Sequence, residues 1–257
     1  MSKLYIVEGL PCSGKSTAAK FIAEKVGGIY VDEGSGDHPA DYEFQAFIPE
    51  SGFKGFTEDE LRHISEHSEK HENGYIVPLS SVSGELFDKV LQYKIYDFLP
   101  WETEYPVMLD KWRRFAENAD GICVFNCVLM QNPMCETMMR FNFDISVSRE
   151  HINSICDIVR DMSPTVIYLR NSNIAESIRA ALPERGDEWL NAVIDYHCGG
   201  AYGKANGLSG FDGYISALEE RQKRELDILC TLPVRSVVIN DPQNDWNAAY
   251  AEIEKAL

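Results

Sequence analysis

The sharpest chemical signal in the chain is a run of nine residues near its start: Gly9, Leu10, Pro11, Cys12, Ser13, Gly14, Lys15, Ser16 and Thr17. Two glycines bracket four residues, and Lys-Ser-Thr follows, which is the pattern of a phosphate-binding loop. Glycine at positions 9 and 14 allows backbone torsions that other residues resist, so successive amide hydrogens can turn inward around phosphate oxygens. Lys15 is then placed to reach the outer phosphates, and the Ser16 hydroxyl to hold a magnesium ion. The chemistry this implies is the binding of a nucleoside triphosphate, ATP, with Mg2+. A glycine-rich turn that fits by chance is the competing reading. Leu4 to Val7 reads as a short buried strand and Ser16 to Val26 as a helix whose positive N-terminus would face the phosphates, and that context favours the loop.

Other residues could also do chemistry. The β-rich stretch Ile29 to Val31 ends in Asp32 and Glu33, at the carboxyl end of a parallel strand, where open α/β sheets bind ligands. Asp37 follows in Gly36-Asp37-His38-Pro39. Cys12 lies inside the loop, where backbone amides and Lys15 should stabilise a thiolate; the alternative is a buried, inert thiol. His63, Glu66 and His67 spell the HxxEH pattern of a zinc peptidase, and His71 extends the histidines at four-residue spacing down one helical face. That segment is polar nearly throughout and has no convincing second helix with an acidic ligand, so a solvated helix is the better reading, with adventitious metal binding left open.

These groups must be positioned by a fold, and the pattern of elements defines it. Strands at Leu4 to Val7, Ile29 to Val31, Gly121 to Cys127, Thr165 to Leu169 and Arg235 to Ile239 alternate with helices. That is an α/β fold of three layers, about five parallel strands with helices on both faces and right-handed crossovers. Residues Gly34 to Gly55 read as an ordered loop or a mobile cover, followed by a capping box at Thr57 to Glu60 opening a helix that runs to about Lys70. Helices are expected at Glu85 to Phe98, Tyr105 to Asn118, Ser148 to Met162, after the strand Thr165 to Leu169 through Ala180 to a stop at Pro183, Glu188 to Tyr196, Tyr214 to Leu229 and Asp245 to Ala256. Gly199 to Gly213 reads as loop. The aromatics Tyr93, Tyr96, Phe98, Trp101, Trp112 and Phe115 read mostly as core, with one or two able to stack on a flat ring.

At 257 residues the chain reads as a single domain over 1–257 with a helical and loop insertion at 34–105 and a lid region near 171–213. Apolar residues at 44% and charged residues at 25% are those of a folded chain. The formal net charge of −17 should repel nucleic-acid phosphates and anionic lipid, so the expected partner is a small-molecule acceptor rather than a nucleic-acid polymer or a membrane. A homodimer is compatible with the sequence. No apolar run is long enough to cross a membrane, and Met1 to Lys3 leads straight into the first strand. Seven cysteines without a CxxC pair read as reduced thiols of a cytoplasmic protein.

Gly9 to Thr17, the carboxylate pair after the second strand and an Arg-containing segment after the fourth together resemble the P-loop kinases of the nucleoside and nucleotide type, thymidylate kinase among them. The resemblance implies a five-stranded parallel sheet and a lid that closes over the phosphates. It nominates Arg179 and Arg185, within Val166 to Trp189, as phosphate-clamping arginines, the alternative being solvated helix residues. It also makes Glu33 the first choice of base for the acceptor hydroxyl, with Asp37 second. The sequence departs from the family after the third strand, where Asn126 and Cys127 stand in place of a metal-assisting carboxylate. Magnesium would then lean on Ser16, water and the triphosphate, with Asp32, Glu33 or Asp37 as outer-sphere partners. The resulting expectation is an ATP-dependent phosphotransferase for a nucleoside or nucleotide. The alternatives are a kinase for an antibiotic or sugar derivative and a nucleotide-dependent switch without an acceptor.

Overall fold

The computed structural model describes residues 2–36 and 38–257. Asp37, one of the two candidate bases, therefore lies outside the described residues. The chain forms two compact units, one of residues 2–33 and 116–257 and one of the described residues in 34–115. In chain order the strands are β1 (Lys3–Gly9), β2 (Ile29–Val31), β3 (Gln45–Pro49), β4 (Glu69–His71), β5 (Gly74–Pro78), β6 (Ile122–Asn126), β7 (Thr165–Arg170) and β8 (Arg235–Asn240).

The larger unit is built on a five-stranded sheet in the order β2-β6-β1-β7-β8, with every neighbouring pair parallel. Parallel strands need crossovers, and covering both faces with helices leaves the central strands as continuous apolar runs. In β1, Tyr5 and Val7 pack with Ala18, Ala19 and Ile22 of the helix Lys15–Val26 and with Ile253 of the helix Trp246–Glu254. The alternate residues Leu4 and Ile6 are as deeply buried as Phe125 and Tyr168. On the side of the loop, Leu10 packs with Ile174 and Ile178 and with Tyr214, Ile215 and Leu218 of the helix Gly210–Leu229.

Several expected boundaries move. The helix expected to stop at Pro183 runs from Ile174 to Gly199 as two helical segments joined at Gly186, whose φ of 83° and ψ of 167° break the helix where only glycine is at ease. Both segments pack on the same helix, through Ile174 and Ile178 before the break and Trp189, Leu190 and Val193 after it. That shared contact outweighs the local cost of proline. The expected loop at Gly199 to Gly213 contains a short helix, Ala201–Ala205, and the next helix begins at Gly210. The helix expected from Ser148 starts at Ile145, because the Asp144 side chain accepts from the Ser146 amide at 2.9 Å and caps it.

The smaller unit holds a three-stranded antiparallel sheet in the order β3-β5-β4. The expected loop at Gly34 to Gly55 thus contains a strand and a 3-10 helix, Glu50–Gly55. Both faces of β3 are buried: Ala46 and Ile48 pack with Ile64, Val77 and Val90, whereas Phe47 packs with Ile95, Val107 and Met108. The capping box is present, with the Thr57 amide donating to Glu60 at 2.7 Å and the Glu60 amide donating to Thr57 Oγ1 at 3.3 Å. The helix it opens ends at His67, and His71 lies on β4, so the three histidines do not share a helical face. His63 Nε2 is bonded to the Ser81 carbonyl and His67 Nδ1 to the His63 carbonyl. Among the described residues no three His, Cys, Asp or Glu side chains are grouped to hold a metal ion. The helix expected over Glu85 to Phe98 spans Gly84–Leu91, after which Tyr96 adopts a φ of 75° and Ile95 and Leu99 turn into the core. Trp112 and Phe115 are core residues, and Phe98 is exposed.

Candidate active site

The loop from Gly9 to Thr17 joins β1 to its helix, and its two glycines adopt torsions that other residues resist. Gly9 has a φ of 145°, and a Cβ there would lie 2.6 Å from the Leu169 carbonyl oxygen; Gly14 has a φ of 94°, and a Cβ would lie 2.7 Å from the Trp246 ring. Neither position can carry a side chain without a shift of its neighbours. Lys15 is buried and donates to the Gly9 and Leu10 carbonyls, both at 3.1 Å. Gln243 donates to the Cys12 carbonyl, so the loop is braced from the segment after β8.

Asn126, the last residue of β6, donates to Ser16 Oγ at 3.1 Å and to Asp32 Oδ1 at 2.8 Å. Asp32 Oδ1 also accepts from the Tyr30 hydroxyl at 2.6 Å and from the Glu33 amide at 3.0 Å. Partial burial raises the Asp32 carboxyl, but the bonds from Tyr30, Asn126 and Glu33 outweigh it and hold the group below the ordinary carboxylate range. Gln131 donates to Glu33 Oε1. Tyr30 is raised, first by burial and then by its bond to Asp32.

A cleft of about 870 Å³ is lined by Pro11 to Thr17, Asp32, Glu33, Asn126 and Arg185, all within the larger unit. Of the two nominated arginines, Arg185 lines this cleft, with its guanidinium 5.6 Å from the Trp189 ring centre, whereas Arg179 is not among its lining residues and stacks 4.6 Å over Phe211. The Cys12 thiol is raised, because burial outweighs the nearby Arg185 and Lys15, so the expected thiolate is not what this loop favours. All seven cysteines are free.

The most buried part of the site comes from residues that the sequence did not single out. Glu8, fully buried on β1, accepts from the Leu129 and Met130 amides at 2.8 and 2.9 Å and so holds the turn in which Cys127 and Val128 adopt φ values of 62° and 76°. Burial pushes its carboxyl up to about 7, against the Met130 amide, which lowers it. Behind it, Arg221 donates to Glu225 at 2.6 Å, and the Tyr168 hydroxyl donates to the other Glu225 oxygen at 2.6 Å. The available signal was a charged pair at i, i+4 on the apolar stripe of a helix, between Leu218 and Ile228.

The residues fit ATP and Mg2+. Glycine at positions 9 and 14 fits a tight loop hemmed in by Leu169 and Trp246, and the oxygens of Ser16 and Asp32, both bonded by the Asn126 side-chain amide, are hard donors of the kind magnesium takes; Asn126 Oδ1 is buried without a hydrogen-bond partner among the described residues. Loop, sheet order and helical layers agree. This is a three-layer α/β fold with a P-loop-type connection after its first strand. No protein-family model matches the chain, and no curated protein matches its sequence. Among solved structures, the chain is similar to deoxyadenosine kinase from M. mycoides, with 14% identity, 98% of this chain and 97% of that one covered, and a TM-score of 0.45. It is also similar to the YorR protein of Bacillus subtilis (13% identity, 98% and 93% covered, TM-score 0.44). A third likeness is to thymidylate kinase from Candida albicans (12% identity, 99% and 93% covered, TM-score 0.43). At such distances the site is read from this chain's own residues.

Proposed function

We propose that the protein is an ATP-dependent phosphotransferase acting on a small molecule, with a nucleoside or nucleotide as the leading acceptor class. The observation that carries this reading is that one cleft is lined by the phosphate loop, the Asp32 and Glu33 carboxylates and Arg185. Lys15 and the loop amides hold the β- and γ-phosphates. Mg2+ would be held by Ser16, with Asp32 oriented by Asn126 beside it, and supplies neutralisation of phosphate charge. Glu33 accepts the proton of the acceptor hydroxyl, and Arg185, whose fork suits phosphate oxygens, clamps the transferring group. Asp32, with its charge secured by three hydrogen bonds, is better suited to the metal than to proton transfer.

The test is a screen of ATP consumption against nucleosides, nucleotides, sugars and aminoglycosides, with product mass measured. Lys15→Ala should lower turnover on the order of a hundredfold or more, the typical cost of a lost transition-state contact, while the fold is kept. Full activity in that variant would overturn the reading. A nucleotide-dependent switch is the outcome if nucleotide binds and no acceptor stimulates its consumption. A phosphorylated aminoglycoside or sugar instead moves the acceptor class.

A further inference from the structure

The cleft has a second polar region that phosphate chemistry leaves unused. His197 and Arg221 both line it and are 5% and 1% exposed. His197 Nδ1 lies 2.7 Å from the Val193 carbonyl oxygen, which can only accept, so Nδ1 carries the hydrogen. Burial keeps the ring neutral, its pKa lowered to about 4. Nε2 is therefore a hydrogen-bond acceptor, and it has no partner among the described residues. Arg221 directs Nε to Glu225 and Nη1 to Cys135 Sγ at 3.7 Å, while Nη2 has no partner among the described residues. A buried donor and a buried acceptor lining one cavity, each unmet, call for a bound group that meets both.

Charge narrows what that group can be. Glu225 sits 2.6 Å from Arg221 and neutralises it, so an anion would approach a paired guanidinium with a carboxylate directly behind it. A cation would meet Arg221 itself. An aromatic ring and an aliphatic side chain stand beside the pair: Trp189, Val193 and His197 recur at four-residue spacing on one helical segment, and Trp189 and Val193 also line the cleft. We propose that His197 and Arg221 are a recognition pair for a neutral, planar ligand with an amide-type edge, an acceptor atom facing Arg221 beside an N–H facing His197. Lactam and amino-imine edges of heterocycles have this arrangement. The proposal rests on the phosphotransferase reading only for the fate of the ligand, since binding alone tests it.

The experiment is calorimetric titration of the full chain with uracil, cytosine, hypoxanthine and their nucleosides, alongside the edge-blocked 1,3-dimethyluracil and the anionic orotate. At least one free-edged probe should bind, and blocking the edge should weaken binding roughly tenfold or more, the factor expected when buried polar groups lose their partners. His197→Phe should weaken the same probe by a similar factor and leave ATP affinity within about twofold, whereas His197→Gln, which can present a carbonyl acceptor, should recover part of the loss. Arg221→Met with Glu225→Gln removes the second half of the pair without leaving a lone buried charge. If that variant does not fold, the contrast between free and blocked edges in the unaltered chain still decides. Binding of none of the probes, equal binding of blocked and free edges, preference for orotate, or undiminished binding in His197→Phe would each overturn the proposal and assign the region to ordered water. Because ATP affinity and Lys15→Ala are read separately, failure here leaves the phosphotransferase reading standing, and the reverse holds too.

Discussion

Asn126 donates its side-chain amide to Asp32 at 2.8 Å and so ties the end of β6 to the end of β2. The same nitrogen reaches Ser16 Oγ at 3.1 Å. An uncharged residue in this position therefore does not leave the Ser16 side of the cleft without a carboxylate, because it orients the Asp32 side chain at the end of β2. Asn126→Ala should raise the Mg2+ concentration needed for half-maximal ATP turnover by roughly tenfold to a hundredfold, the usual cost of removing an orienting partner. ATP binding in the absence of Mg2+ should change little. An unchanged Mg2+ dependence would remove Asp32 from the proposed metal site.

Glu33→Gln keeps the side chain's shape and can still bond Gln131, but it cannot accept a proton. Transfer to the acceptor should fall by about a hundredfold to ten-thousandfold with ATP affinity retained. The same change at Glu43, farther along the segment between β2 and β3 and not lining the cleft, should matter little. Single-turnover measurements with a fixed acceptor check this, and a normal rate in Glu33→Gln passes the role of base to another residue, with Asp37→Asn the next variant to assay.

Glu8 makes stability depend on pH with a defined sign. A carboxyl near 7 when folded, against 4.5 as the reference value, holds more protons folded than unfolded between those values. Its contribution is therefore fullest below about pH 4.5 and is lost as pH rises through about 7. Between pH 5 and 8 this amounts to roughly 2–3 kcal/mol. Glu8→Gln retains an acceptor for the Leu129 and Met130 amides, so urea unfolding of that variant should show a correspondingly smaller decline over the same interval. A parallel decline in both proteins would mean that Glu8 does not titrate there.

Gly14→Ala meets two separate obstacles, a positive φ and the Trp246 ring at 2.7 Å. The torsion alone costs about 1–2 kcal/mol. Gly14→Ala should lose nucleotide binding, and adding Trp246→Ala should restore it only in part, because the second change relieves the clash and leaves the torsion. Full recovery in the double variant would show that the ring contact is the whole constraint.

How much of this was legible in the sequence differs from residue to residue. β1 and β6 announce themselves as apolar runs, and Gly9 to Thr17 is fixed by residue type and spacing alone. Two strands of the smaller unit do not: β4 is Glu-Lys-His, and β3 acquires its two buried faces only from partners far along the chain. Pro183 spelled a helix end, yet the break falls at Gly186, because packing on a neighbouring helix decides and local propensity does not. Glu8, Arg221 and Glu225 read as ordinary charges, since burial of a charged side chain depends on what surrounds it in three dimensions. Arg179 and Arg185 are six residues apart and look alike in sequence, but only the latter lines the cleft.

The brace on the phosphate loop joins Cys12 to Gln243 across 231 positions of sequence. During synthesis at about 5–20 residues per second, the loop is made roughly 10–50 s before its brace exists. A nascent chain thus carries the glycines and the lysine long before the backbone around them is supported on both sides. The loop therefore reaches its doubly supported form only after β8 and the segment that follows it have been made.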